Sequence, residues 1–239
     1  MLVATKALVI SSLKYGESDL IVSCFTESDG LKSYMLRGIL KSKKGRLKKA
    51  LFQPLTQLEI VANHKNKGTL ERINEAKVYF HYSSLHTNIV KSSLVLFLAE
   101  MLKNAIQEEE KNEHLYEYIE SAFQWLDIHD ESANFHILFL LKLTMFLGFY
   151  PDTTNIKKTY FNLLEGTFEN ETLTPYSISG ENIENFKQFF GINFDKTHSI
   201  KLNKKSRFEV LNLLLQYYQL HLQNYKTPKS LLVLKELFS

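Results

Sequence analysis

Residues 3–39 read VATKALVISSLKYGESDLIVSCFTESDGLKSYMLRGI, and this stretch decides the fold. Val3–Ser12 and Leu20–Thr26 are apolar and rich in β-branched side chains, which suit a pleated, half-buried backbone. Between them, Tyr15-Gly16-Glu17-Ser18-Asp19 supplies turn chemistry. A third strand is expected from about Leu31 to Ile39, entered through Ser28-Asp29-Gly30, where glycine can take a positive φ. Further on, Leu55–Ala62 and Thr69–Ala76 read as a fourth and fifth strand around the polar loop Asn63–Gly68. Short strands at this spacing, with a long connection after the third, fit a small closed barrel of the OB type. The same pattern also allows an SH3-like barrel or an open sheet.

Beyond about Ser83 the period becomes helical. Ser92–Ile106 carries Val95, Leu98, Leu102 and Ile106 on one face, and Asn112–Asp127 repeats this with Leu115, Tyr118, Ile119, Ala122 and Leu126. Ser132–Phe149 is apolar almost all round, apart from His136 and Lys142, as befits a helix buried inside a bundle. It should stop at Gly148, with Pro151 just beyond. Residues 150–203 suggest loops and short strands, with one helix near Ile183–Phe190. Ser206 and Glu209 have capping-box spacing, ahead of a stripe through Phe208, Leu211, Leu215, Tyr218, Leu222 and Tyr225. Thr227-Pro228 marks the start of a last helix through Leu231–Phe238. The expected class is α+β. A five-stranded OB-type β-barrel over residues 1–80 precedes an all-helical domain over 81–239, with 150–203 a small irregular insertion.

The net charge of +3 conceals an uneven distribution. Between Gly30 and Leu58 stand eight basic residues and no acidic one: Lys32, Arg37, Lys41, Lys43, Lys44, Arg46, Lys48 and Lys49. The other 21 Lys and Arg face all 26 acidic residues, so the remainder of the chain is net −5. A local basic patch on an acidic background is a footprint for a polyanion, and these eight residues are the candidate nucleic-acid contacts. The plainer reading is a solvated loop. Only Tyr15, Phe25, Tyr34 and Phe52 among the aromatics precede residue 79, which leaves few rings for stacking bases. Contacts are therefore expected to fall mainly on phosphates and to be largely blind to sequence.

The residues offer no catalytic constellation. There is no phosphate-binding glycine loop, no HExxH and no GxSxG, and the eight histidines are scattered. The single cysteine, Cys24, excludes an intrachain disulfide and a thiolate cluster. Neither a cofactor nor an enzymatic step is expected. Lys6 interrupts the apolar start of the chain, and the longest apolar runs elsewhere are too short to cross a bilayer. A soluble, cytoplasmic protein that binds no membrane is the expectation.

In order along the chain, Tyr15-Gly16-Glu17-Ser18-Asp19-Leu20-Ile21, Phe25-Thr26, Gly30, Gly38, Lys41-Ser42, Leu51 and Gln53-Pro54 resemble the RecO family of recombination mediators. Leu147-Gly148-Phe149 with Pro151, Tyr217–Leu222 and Lys229-Ser230 extend the likeness towards the C-terminus. The resemblance implies an OB-fold followed by a helical domain, and a role in bacterial DNA repair. It further implies binding of single- and double-stranded DNA, strand annealing, and cooperation with RecR and the single-stranded DNA-binding protein in loading recombinase. Nucleoid association follows from the same likeness. Many members carry a four-cysteine zinc site after the Gly-Phe-x-Pro turn, whereas residues 150–180 here hold no cysteine. This region is therefore read as a cysteine-free remnant of the zinc ribbon, held by Tyr160, Phe161, Leu163 and Phe168, and no metal is expected. Two other classes fit the bare residues: a helical protein-interaction scaffold, and an RNA-binding accessory factor.

Overall fold

The computed structural model describes residues 1–42, 47–65, 68–107, 110–130, 133–172 and 174–238. By contact the chain divides into two compact units, residues 1–127 and 128–239.

The first unit is built on an antiparallel sheet of β1 (Leu2–Tyr15), β2 (Asp19–Thr26), β3 (Gly30–Leu36), β4 (Gln57–Asn63) and β5 (Arg72–Phe80), in the order β3-β2-β1-β4-β5. The long first strand serves two partners. Leu2–Leu8 pair with β4, and Ala7–Tyr15 pair with β2. Between Val9 and Ser11 the register with β2 shifts, because Val9 faces Cys24 while Ser11 already faces Ser23. Ile10 is the extra residue, so this is a β-bulge. Ala7, Val9, Val22, Cys24, Tyr34 and Ile60 belong to the buried cluster that the sheet wraps around.

The hydrogen-bonded ladder does not close, and the expected closed barrel is corrected to an open, OB-like sheet. Among the described residues, the edge strands β3 and β5 meet at one parallel bridge, Tyr34 to Glu71. There the Met35 amide donates to the Glu71 carbonyl at 3.0 Å and the Glu71 amide to the Ser33 carbonyl at 2.8 Å. Closure stops at that point because β3 ends at Leu36, where the chain turns away, just as β5 begins at Arg72.

Helices α1 (Ile89–Ala105) and α2 (Glu113–Ile128) pack with this sheet. The first begins earlier than its apolar spacing suggests, because the Asn88 side chain caps it by accepting from the Val90 and Lys91 amides. The second buries Leu115, Ile119, Ala122 and Leu126 of the face read from the sequence, while Tyr118 is half-buried. Its Tyr116 ring lies 6.0 Å from Phe25 on β2. Gly30 (φ +66°) has no room for a side chain, since a Cβ there would run into the Glu110 backbone. The neighbouring Glu108 and Glu109 lie outside the described residues.

Asp127, near the end of α2, ties the sheet-to-helix connection in place. Its carboxylate accepts from the backbone amides of Ser83 and Ser84, each at 2.8 Å, and of Leu85 at 2.7 Å. Its carbonyl accepts from the buried Lys91 ammonium at 2.8 Å.

In the second unit, α3 (Phe135–Phe146) is buried nearly all round, as its sequence indicates. Gly148 (φ +81°) follows it, in the left-handed conformation that ends helices. A small sheet, order β7-β6-β8, comprises β6 (Tyr160–Asn162), β7 (Thr167–Glu169) and β8 (Ser177–Ile178). Phe161, Leu163 and Phe168 are buried, with the Phe161 and Phe168 rings 4.9 Å apart, while Tyr160 is half-buried. Then come α4 (Glu181–Lys187), α5 (Lys204–His221) and α6 (Leu231–Phe238). The capping box expected at Ser206 is corrected. Asn203 caps α5 by accepting from the Ser206 amide at 2.8 Å, which leaves Ser206 as the third helical residue. The stripe on α5 holds through Tyr218, whose hydroxyl donates to the Leu140 carbonyl at 2.7 Å.

The Asp127 clamp sets a pH dependence. Burial acts to raise its carboxyl pKa, but the amides of Ser83, Ser84 and Leu85 and the Ser83 hydroxyl outweigh it and hold the pKa below the usual value. A depressed folded-state pKa adds stability that is present above the unfolded carboxylate value of about 3.9 and is lost as pH falls through the lower folded value. Asp127→Ala should cost about 2–4 kcal/mol in urea unfolding at neutral pH. The gap to wild type should begin to narrow below about pH 4, where the unfolded-state carboxylate takes up a proton, and close as pH falls through the lower folded-state value.

Candidate nucleic-acid interface

The basic segment leaves the sheet at the end of β3 and re-enters through a 3₁₀ turn, Lys49–Phe52. Both ends are anchored. At the exit, Gly38 (φ +68°) makes a tight turn, and its amide donates to the Asp19 carboxylate at 2.8 Å. The Leu40 amide donates to the Ser18 carbonyl at 2.9 Å. The exit turn is thereby fastened to the β1–β2 hairpin, whose Gly16-Glu17-Ser18-Asp19 residues are also the core of the motif quoted above. The Gly38 amide, the Ser18 hydroxyl and the charges of Arg37 and Lys41 hold the Asp19 carboxyl pKa below its usual value against a smaller effect of burial. At the re-entry, Phe52 is buried in the sheet's core.

The eight candidate residues separate into three groups. Arg37, Lys41, Lys48 and Lys49 are exposed around these anchored ends. Lys41 forms an ion pair with Glu17 at 3.0 Å, with both side chains largely in solvent. Lys43, Lys44 and Arg46 lie outside the described residues. Lys32 is different, with only 4% of its surface exposed. It points inward on β3 with Tyr34 and Leu36, and its charge helps hold the Asp29 carboxyl in its ionised form. As a phosphate contact it is corrected to a structural residue, because a side chain that faces the interior cannot meet a backbone outside.

Lys32 belongs to a polar cluster at one end of the sheet. The Tyr34 hydroxyl lies 2.8 Å from His64 Nε2, and His64 Nδ1 lies 3.0 Å from the Asp29 carboxylate. The Ser28 hydroxyl donates to the same carboxylate at 2.6 Å. Burial acts to raise the Asp29 carboxyl pKa, yet these hydrogen bonds and the charges of His64 and Lys32 bring it down overall. The cluster satisfies buried polar groups and fixes the end of the sheet.

Two features escaped the reading of the sequence. Arg72 lies outside the charge-counting window, yet β5 brings it exposed to the unclosed seam. There a cleft of about 740 Å³ is lined by Arg37, Leu47, Leu70, Glu71 and Arg72, among others. The second is a pair of large exposed side chains on the first hairpin, Leu13 and Tyr15. Alternation counted from the core residue Val9 would have turned both inward.

No group of three or more His, Cys, Asp or Glu side chains able to hold a metal occurs among the described residues. Nor does the donor set fit the zinc site of the resembled family. Cys24 is fully buried in β2, with its thiol pKa pushed up to about 12 by desolvation, and the small sheet of the second unit is held by aromatic packing. No helix among the described residues is long and apolar enough to cross a membrane.

This architecture defines an α+β protein in which an OB-like antiparallel sheet with an exposed basic exit is followed by a helical region. The description Recombination protein O N terminal matches residues 1–82, and Recombination protein O C terminal matches residues 86–231. Proteins named DNA repair protein RecO are similar along the entire length of both chains. One from Christiangramia forsetii is 53% identical, one from Flavobacterium psychrophilum 47%, and one from Bacteroides fragilis 37%. The chain belongs to the RecO family of DNA repair proteins.

The aromatic packing of the second unit carries a prediction. Exhaustive dialysis against EDTA should leave the thermal midpoint unchanged and release no stoichiometric zinc by elemental analysis. A structural zinc site would lose a large part of its stability on chelation.

Proposed function

We propose that the protein is a non-enzymatic recombination mediator that holds single- and double-stranded DNA by their phosphates and anneals complementary strands. The observation that carries this reading is the set of exposed cations Arg37, Lys41, Lys48 and Lys49 around the anchored ends of one basic segment. Lys43, Lys44 and Arg46 in the same segment extend the set. The names of its full-length relatives support the setting in DNA repair. Annealing requires two polyanions to approach each other, and a basic surface that holds both lowers their repulsion without a chemical step. Residues 1–80 carry DNA binding in this reading. The helical region over 81–239 carries contacts to RecR and the single-stranded DNA-binding protein, through which recombinase is loaded on gaps. The place of action is the bacterial cytoplasm, at the nucleoid.

Salt titration tests the phosphate contacts. If about four to six cations meet phosphates, log K for single-stranded DNA should fall by roughly 3–4 per decade of salt. That amounts to about a hundredfold loss between about 50 and 200 mM. Replacing Lys41, Lys43, Lys44, Arg46, Lys48 and Lys49 together by glutamine should flatten this slope and weaken annealing strongly. The melting curve should change little, since surface substitutions usually cost no more than about 0.5 kcal/mol each. Binding to RecR should persist. Full annealing activity in the folded variant would refute the assignment.

Glu17 supplies a test of opposite sign. In its pair with Lys41 the carboxylate competes with phosphate for the same ammonium. Exposed pairs are worth roughly 0.2–1 kcal/mol, so Glu17→Gln should tighten DNA binding by up to about fivefold at low salt. The gain should vanish as salt rises. Tighter binding in the Lys41→Gln background as well would show that the ion pair is not the cause.

A further inference from the structure

The seam where β3 and β5 meet stops one rung short of a ladder. At the Tyr34–Glu71 bridge, the Glu71 amide donates to the Ser33 carbonyl and the Met35 amide to the Glu71 carbonyl. In a parallel pair the next rung lies two residues on. There the Ile73 amide would donate to the Met35 carbonyl, and the Arg37 amide to the Ile73 carbonyl. Neither bond is made among the described residues. The register of β5 with β4 shifts at the same place, because Ile73 faces Ala62 while Glu75 already faces Val61. Asn74 is the extra residue, and a bulge bends the strand that carries it. Strand edges with unpaired amides and carbonyls are a template for an added strand.

Side chains define what such a strand would carry. The cleft of about 740 Å³ at this opening is lined on its core side by Leu36, Ile39 and Ile73, all buried. Arg37 and Arg72 line it as well, and both are exposed. Glu71 is the acidic member, but it is buried and its carboxylate accepts from the Lys65 amide at 2.8 Å. An extended chain laid in the cleft alternates in its turn. One of its side chains meets Leu36 and Ile73, and the next lies between two guanidinium groups. Guanidinium forks match carboxylates in both plane and charge. A nucleic-acid strand offers phosphates to the arginines but no row of amides and carbonyls to complete the rung.

We infer that the seam between β3 and β5 is a docking site for an extended acidic segment of a partner protein. The segment adds as a strand at Ile73, sets an apolar side chain against Leu36 and Ile73, and pairs its carboxylates with Arg37 and Arg72. The inference goes beyond the DNA-binding reading, since it gives the first unit a protein contact of its own and requires no phosphate at the seam. Main-chain pairing accepts many sequences, so specificity lies in the alternation of acidic and apolar side chains.

The test uses the full chain and a fluorescein-labelled peptide of sequence Asp-Val-Asp-Leu-Asp-Val-Asp, followed by fluorescence anisotropy and amide NMR. The peptide should bind saturably, and more weakly as salt rises. The Arg37 and Ile73 amide resonances should be among those that shift most. Arg72→Gln should weaken binding by roughly fivefold or more, because it removes a charge-assisted pair. Its thermal melt should match wild type, since the Arg72 side chain lies in solvent. Methylating the backbone nitrogens of the peptide should abolish binding while leaving its charges in place, because an added strand needs its amides. No saturable binding would overturn the inference. So would equal affinity for Arg72→Gln and wild type, or for the methylated and plain peptides. An oligothymidylate that shifts the Ile73 amide where the peptide does not would reassign the seam to nucleic acid. A flat salt slope for DNA alongside Arg72-dependent peptide binding would refute the phosphate reading and leave this one standing.

Discussion

The single extra residue at Ile10 is the constraint on which the candidate interface depends. Strand side chains alternate between faces, so one inserted residue exchanges the faces of everything after it. Before the bulge, Ala7 and Val9 point into the core. After it, Ser12 pairs with the inward Val22, while Leu13 pairs with Ile21 on the outer face. Without the bulge, Leu13 and Tyr15 would follow Val9 inward. The bulge also lies where β1 changes partners, from β4 to β2, and so marks the bend that wraps the sheet round its core. This local irregularity thus sets the chemistry of the sheet's exposed end, while two further register shifts, at Gln57/Leu58 and Val61/Ala62, lie between β4 and β5.

The hairpin that the bulge presents then organises the charge. Asp19 is an acidic residue in a basic neighbourhood, and its use is structural. By accepting from the Gly38 amide it fixes where the basic segment leaves the sheet. A long cationic connection is costly to order on its own, because like charges repel and each fixed residue loses backbone entropy. Fastening the exit at Gly38 and the re-entry at Phe52 fixes where the segment leaves and rejoins the sheet. The cations need no individual geometry, since phosphate neutralisation depends on their number and proximity.

Much of the fold was legible in the sequence because β-branched runs, turn residues and helical spacing point the same way locally. The five strands and the buried helix α3 follow from such patterns. What failed depended on relations between distant residues. Closure of the sheet turns on whether β3 and β5 overlap, and they meet at a single bridge, Tyr34–Glu71, which neither strand's own sequence encodes. The cap of α5 was misplaced because Asn203 and Ser206 both suit a helix start, and the helix begins at the earlier one. In the site, counting charge found the segment but could not sort it. Lys32 shares the period of Tyr34 and Leu36 and is therefore buried. The opposite face of that strand, Leu31, Ser33 and Met35, is equally apolar, so alternation alone could not decide which set turned inward.

Arg72 shows the converse limit. It lies far from the basic segment in sequence and falls outside any local count of charge, yet the incomplete closure of the sheet places it across the seam from Arg37. A fully closed ladder would have engaged the backbone of both strand ends and left little cleft between them. The open seam instead keeps two guanidinium-bearing residues beside an exposed strand end, next to the hairpin that carries Tyr15. The irregularities that made the sheet hardest to read, the bulge and the unclosed edge, are thus the two places where it offers groups to a ligand. A regular barrel of the same composition would have buried Tyr15 and paired the seam, leaving only a charged loop.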